Sequence, residues 1–61
     1  HASGYACDIG VRGGDALQIV GIALQLGFTG IGVNQKGSGR FIHLDILNST
    51  PQRPRPTIWS Y

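Results

Sequence analysis

Residues 16–26 are apolar around nearly their whole helical circumference, which constrains the fold more than any other feature of the chain. Only two glutamines form an obvious polar stripe, while apolar side chains occupy most other positions: Leu17, Ile19, Val20, Ile22, Ala23, Leu24 and Leu26. A helix of this kind is normally buried on several sides. A chain of 61 residues buries only about 60% of its unfolded surface. We therefore expect further protein, from an upstream segment or another chain, to cover the helix.

The boundaries of this helix are indicated by its flanking residues. Asp15 has the character of an N-cap, with Gln18 three residues later in a weak capping-box pattern. Gly27 is a typical C-terminal stop, because glycine readily adopts the left-handed conformation that ends many helices. The sequence therefore predicts one helix over residues 16–26.

Three strands are predicted around the helix. Residues 5–11 alternate between apolar positions and a face carrying Asp8, which is the period of a strand. Residues 28–33 and 40–47 are the second and third strands, separated by a turn-forming loop at 34–39 and paired antiparallel. The fold class is α+β, with a small antiparallel sheet packed on one helix. Residues 48–61 contain three prolines and are predicted as an extended tail, anchored by Trp59 and Tyr61.

Composition excludes several function classes. Five Lys and Arg residues against three Asp give a net charge of +2, too small a positive charge to indicate nucleic-acid binding. No apolar run approaches the roughly 20 residues of a membrane span. Cys7 is the only cysteine, so no intrachain disulfide can form. Because small domains often rely on a metal or a partner for stability, we expect a metal or a partner segment to stabilise this chain.

Four side chains form a candidate metal constellation. His43 and Asp45 are two apart on the third strand and so share a face, while Asp8 lies on the less apolar side of the first strand and His1 just precedes that strand. Two imidazoles and a carboxylate form the ligand set of many catalytic zinc centres, with a fourth position left for water. Three of the four also have a plainer interpretation: a structural His43, a solvated Asp45 or one paired with Arg40, and a His1 left from a tag. Asp8 is less easily dismissed, because a carboxylate in a small apolar strand needs a cation or hydrogen-bond donors.

The segment His1-Ala2-Ser3-Gly4-Tyr5-Ala6-Cys7-Asp8-Ile9 matches the pattern H-x-x-G-x-A-x-D-I. In this it resembles the zinc D-alanyl-D-alanine carboxypeptidases, peptidase family M-fifteen and its A subfamily in particular, and two further motifs resemble the same family. The segment from Leu26 to Val33 is similar to L-G-F-x-G-I-G-V, and Phe41-Ile42-His43-Leu44-Asp45 to F-V-H-V-D. The tail Arg55-Pro56-Thr57-Ile58-Trp59 resembles a family ending with basic residues and Trp. The resemblance covers nearly the whole chain, in the family order.

The resemblance implies a set of site residues. The zinc ligands of the family fall on His1, Asp8 and His43. In several relatives a Glu shortly before the last His is the acid–base, but this sequence contains no Glu. Asp45 is nominated as the catalytic base by elimination, with two alternatives open: Asp45 holds a ligand in place, or the base lies upstream. Arg40 is a candidate for binding the anionic substrate, with a solvated surface arginine as the equal alternative.

The implied function is zinc-dependent hydrolysis of peptide bonds in bacterial cell-wall peptidoglycan, as a D-alanyl-D-alanine carboxypeptidase or an endolysin-type endopeptidase. Residues 1–61 would be the C-terminal, metal-binding part of a peptidase domain of the hedgehog/DD-peptidase fold, acting on peptidoglycan stem peptides. An upstream segment with a substrate-binding Arg would be missing, and the location would be the cell envelope, the exterior or a phage particle. The alternative is a non-catalytic, zinc-stabilised binding or structural module of the same fold. A minor third reading has a free His1 terminus chelating copper.

Overall fold

The computed structural model describes residues 5–61, which form one helix and a four-stranded sheet. The elements in chain order are β1 (Ala6–Ile9), α1 (Gly13–Leu26), β2 (Gly30–Asn34), β3 (Phe41–Asp45) and β4 (Thr57–Ser60). This confirms the predicted α+β class, with every predicted strand present in a slightly different span. His1 and the three residues after it lie outside the described residues.

The sheet has the order β1-β3-β2-β4 and is mixed. β3 pairs antiparallel with both β1 and β2, as predicted for β2 and β3. β4 pairs parallel with β2, so the C-terminal segment is extended as expected but also supplies a fourth strand. The sequence pattern did not indicate this strand, because the prolines before it are typical of a segment outside a sheet.

The helix begins earlier than predicted. Arg12 occupies the N-cap position with an extended backbone and no side-chain cap, and the helix starts at Gly13. The prediction that Asp15 is the N-cap is therefore wrong. Asp15 lies instead in the first turn, where its negative charge is favourable because of the helix dipole. Gly27 ends the helix as predicted, with a φ of 90° that a residue with a side chain adopts at a cost.

The core lies between α1 and the sheet. Its buried residues are Ala16, Ala23, Ile31, Ile42 and Leu44. Ala16 and Ala23 are seven residues apart and therefore lie on one side of the helix. They share the core with Ile42 and Leu44 of β3, so the sheet packs on one helix as predicted.

Much of the apolar surface of α1 is exposed, as the sequence predicted. Leu17 is 75% exposed and Leu24 62% exposed, and Ile22 and Leu26 are also exposed. Among the residues that were expected to be uncovered, Ile19 and Val20 are half-buried and Ala23 is buried. Within residues 5–61, no helix combines the length and apolar character needed to cross a membrane.

Two open grooves flank the helix on this side of the sheet. One, of about 420 Å³, is lined by residues that include Leu17, Val20 and Val33. The other, of about 340 Å³, is lined by residues that include Val20, Leu24 and Ile58. We call this side of the sheet, with α1 and its grooves, the helix face, and the opposite side the site face.

Candidate metal and histidine site

Strand pairing brings the predicted site residues together on the site face. Asp8 on β1 lies directly opposite His43 on β3. Asp45 is two residues beyond His43 on the same strand, so both side chains point to the same side of the sheet. The pattern of alternation that predicted this shared face is therefore confirmed.

His43 lies between two carboxylates. Its Nδ1 is 2.8 Å from Oδ1 of Asp8, and its Nε2 is 2.8 Å from Oδ2 of Asp45. A ring protonated on both nitrogens donates to both carboxylates. Burial of the ring disfavours its charge, but the hydrogen bonds that the ring donates to Asp45 and Asp8, together with the negative charges of these carboxylates, outweigh this effect, and the pKa of His43 is raised above its ordinary value.

The two carboxylates differ sharply in their surroundings. The side chain of Asp8 is 62% exposed, whereas that of Asp45 is 0% exposed. A buried carboxylate is costly unless it is paired and hydrogen-bonded. Asp45 cannot be the solvated strand residue that the sequence left open, and its partner must come from elsewhere in the fold.

That partner is Arg55, in the segment just before β4. Its Nε donates to Oδ1 of Asp45 at 2.8 Å and its Nη2 to Oδ2 at 2.7 Å. This is the two-pronged geometry in which arginine binds a carboxylate most strongly. The guanidinium holds the pKa of Asp45 well below its usual range, against the opposing effect of burial, with help from His43 and the backbone of Leu47.

Two glycines of β2 make these contacts possible. Gly30 lies opposite Asp45, and Gly32 lies opposite His43. A Cβ at Gly30 would collide with Oδ1 of Asp45 and would lie 2.5 Å from Nε of Arg55. A Cβ at Gly32 would lie 2.7 Å from the indole of Trp59. The bare site face of β2 therefore leaves the space through which Arg55 and Trp59 reach the residues of β3.

Trp59 on β4 packs beside the ring of His43. Its ring centroid is 5.4 Å from that of His43, and the Cζ atom of Arg55 lies 5.0 Å from the indole centroid, within the range of a cation–π contact. Tyr61 adjoins Trp59 and also Phe41, with centroids 6.5 and 5.1 Å apart. The predicted anchoring role of the two C-terminal aromatic residues is consistent with these contacts.

Asp8 and His43 suit a shared cation. Two ligands of a tetrahedral zinc ion at about 2.0 Å lie roughly 3.3 Å apart, close to the 2.8 Å between Oδ1 of Asp8 and Nδ1 of His43. The other ring nitrogen is held by a buried carboxylate, the arrangement that commonly orients a metal-binding histidine. A cation between the two atoms would replace the proton that a doubly protonated ring donates to Asp8.

The structure groups some of the predicted site residues and separates others. Within residues 5–61, no three His, Cys, Asp or Glu side chains converge as metal ligands, because Asp8 and Asp45 lie on opposite sides of the His43 ring. The third predicted ligand, His1, lies outside the described residues. Arg40 lies on the helix face, where it lines the groove beside Val33, and its Nε donates to the carbonyl of Gly37 rather than to Asp45.

Sequence reasoning missed the role of Arg55. The available signal was the carboxylate of Asp45 on a strand whose neighbour carries Gly30 and Gly32 at alternate positions. A carboxylate in so enclosed a place needs a cation, and the missing side chains leave room for one to cross the strand. We call Asp8, His43, Asp45 and Arg55 the histidine cluster.

Comparison of the chain with protein-family models, with curated proteins and with solved structures finds no match.

Proposed function

We propose that this chain is the metal-binding part of a zinc peptidase related to the D-alanyl-D-alanine carboxypeptidases, acting on peptidoglycan stem peptides. The observation that carries the proposal is the position of His43, between exposed Asp8 at Nδ1 and buried Asp45 at Nε2. The motif resemblance supplies the reaction and substrate class, and assigns the third ligand to His1. Asp8, His43 and His1 would hold the ion.

The chemistry of the ligand set suits hydrolysis of an amide bond. A zinc ion bound there would polarise a peptide carbonyl and lower the pKa of a water molecule toward about 7. Asp8 would contribute a negative charge and His43 a neutral nitrogen. Trp59, packed against the ring of His43, would exclude water from one side of the site.

The surroundings of Asp45 favour an orienting role over that of a general base. A useful proton acceptor has a pKa near the working pH, whereas Arg55 holds the pKa of Asp45 far below this. Both carboxylate oxygens are also already engaged by His43 and Arg55. Of the two roles considered for Asp45, we therefore propose that it fixes the ring of His43. The proton acceptor would then belong to another segment or a partner chain.

The same observation favours a second candidate, a zinc-stabilised module without catalytic activity. The only side-chain carboxylates of the sequence belong to Asp8, Asp15 and Asp45. Asp8 would be a ligand, Asp45 is held by Arg55, and Asp15 lies in the first turn of α1. A domain that only binds metal needs no proton acceptor, so a hydrolysis assay separates the two candidates.

Zinc binding is the first test of the proposal. The full chain should bind one zinc ion per molecule by calorimetry, and Asp8→Asn should weaken binding more than tenfold because it removes a charged ligand. Asp15→Asn is the matched control, since it removes the same charge from the start of α1, and it should bind zinc normally. Equal losses in both variants, or no binding by the unchanged chain, would contradict the proposed site.

Activity is tested through release of D-alanine from cell-wall peptides. In a protein that hydrolyses them, Asp45→Asn should bind zinc about 10–100-fold more weakly and should regain activity in excess zinc. A general base would behave differently, because its loss lowers the rate about 10²–10⁴-fold whatever the zinc concentration. Zinc binding without hydrolysis in any context would favour the non-catalytic module.

A further inference from the structure

We propose that Arg55 is a positioning residue for His43, acting through Asp45 to hold the neutral ring with its single proton on Nε2, so that the lone pair of Nδ1 faces Asp8 and can bind a cation. The relevance of this arrangement to catalysis rests on the proposed function. The arrangement of the ring itself does not, since it is a property of the chain without metal.

The chain of contacts from Arg55 to the ring is continuous, and the carboxylate of Asp45 at its centre is fully buried. The two nitrogens Nε and Nη2 bind one oxygen each of Asp45, so the carboxylate cannot rotate about its terminal bond without losing a contact. The oxygen Oδ2 that accepts from Nη2 is also the oxygen 2.8 Å from Nε2 of His43. The guanidinium therefore fixes the acceptor toward which the ring must point.

Arg55 is itself held from several directions. Its Nη1 donates to the carbonyl of Pro54 at 2.7 Å, and its backbone N–H donates to Oγ of Ser49 at 3.2 Å. The indole of Trp59 covers the guanidinium. A planar group bound at three nitrogens and covered on one face has little freedom, which makes it suitable as the fixed end of the chain of contacts.

The competition between Asp8 and Asp45 makes this fixation necessary. A neutral imidazole has one N–H, and each carboxylate offers an acceptor to a different nitrogen. Hydrogen bonds are worth more where water is excluded, so buried Asp45 wins over exposed Asp8 as long as it is held in place. Without Arg55, the two tautomers become comparable, and Nδ1 is protonated in part of the molecules.

The test measures the tautomer of His43 in the full chain without metal. Long-range ¹H–¹⁵N spectra at a pH where the ring is neutral distinguish the two protonated nitrogens. The unchanged chain should show the Nε2–H form, and Arg55→Gln should show a mixture. Arg55→Lys should also show a mixture, because an ammonium group cannot bind both oxygens in the same plane.

Arg53→Gln is the matched control. Arg53 is exposed, two residues away, and its Nη2 donates only to the carbonyl of Asn48. The Arg53→Gln substitution should leave the ring signals of His43 unchanged. Zinc affinity provides a second reading: both Arg55 variants should bind zinc about 10–100-fold more weakly, while Arg53→Gln binds normally.

Wild-type ring signals in a folded Arg55→Lys or Arg55→Gln variant would overturn the proposal, as would an Nδ1–H form in the unchanged chain. If Arg55→Gln does not fold, Arg55→Lys decides. Loss of folding in both, with Arg53→Gln intact, would assign Arg55 to stability alone and would also overturn it. Failure of the unchanged chain to bind zinc would contradict the proposed function and leave the tautomer result standing.

Discussion

The two faces of the sheet differ in how far the side chains on them find partners within the chain. On the site face, His43, Asp45 and Arg55 satisfy one another, and no buried side-chain nitrogen or oxygen in the described part of the chain lacks a hydrogen-bond partner. On the helix face, Leu17 and Leu24 remain largely exposed beside open grooves. Residues 5–61 thus supply their own polar partners but not enough apolar cover. Polar contacts need a few well-placed atoms, whereas apolar cover needs area, which a short chain lacks.

Among the substitutions that test this comparison, removal of the buried carboxylate should lower the free energy of unfolding the most. Asp45→Ala leaves the guanidinium of Arg55 without its partner and should lower the free energy of unfolding by about 3 kcal/mol, as expected for breaking a buried ion pair. The measurement is urea unfolding, read from the midpoint at unchanged slope. Asp8→Ala, which removes the exposed partner of the same histidine, should cost less than about 1 kcal/mol. Equal costs would mean that both carboxylates are hydrated in solution.

Replacing glycine by alanine should change the free energy of unfolding in opposite directions in the sheet and in the helix. Gly32→Ala places a methyl group against Trp59 and should cost about 1–3 kcal/mol, as overpacking does. Fluorescence should report the displaced indole directly, because Trp59 is the only tryptophan. Gly21→Ala is the control: nothing lies within 4 Å of its added Cβ, and it should stabilise α1 by about 0.5–1 kcal/mol. An unchanged emission spectrum in Gly32→Ala would contradict the close packing on the site face.

Substitution of an exposed side chain on the helix face should change the free energy of unfolding the least. Leu24→Gln should change stability by no more than about 0.5 kcal/mol, because the side chain already contacts water. Ile42→Ala, a buried residue on the same side of the sheet, should cost about 2–5 kcal/mol. A loss in Leu24→Gln similar to that in Ile42→Ala would show that Leu24 is covered in solution, and its dependence on concentration would reveal a second copy.

The parts of this structure that follow local rules were predictable from the sequence. Alternation placed His43 and Asp45 on one face, and the apolar residues of α1 predicted a helix with uncovered surface. Gly27 marked the end of that helix correctly. Asp15 misled because a good N-cap residue also suits the first turn, where its charge is favourable.

The missed features depend on contacts between distant segments. β4 follows a proline-rich stretch, and its pairing with β2 has no local signature. The contact between Arg55 and Asp45 depends on Gly30, which matters here for the side chain that it lacks. Arg40 is closer to His43 in sequence and was the more obvious cation. It precedes His43 by three residues, however, and side chains at an odd spacing along a strand point to opposite sides of the sheet.

The position of β3 inside the sheet also has a consequence for the order of folding. β2 and β3 form a hairpin across one short loop, whereas β1 and β4 must each dock from far away in sequence, on opposite edges of that hairpin. Contacts that close short loops form early, and contacts that close long ones form late. We therefore expect His43 to sit on the earliest structure while its partners arrive separately, Asp8 with β1 and Trp59 with β4. The histidine would then report two independent docking events, one through its contact with Asp8 and one through its contact with Trp59.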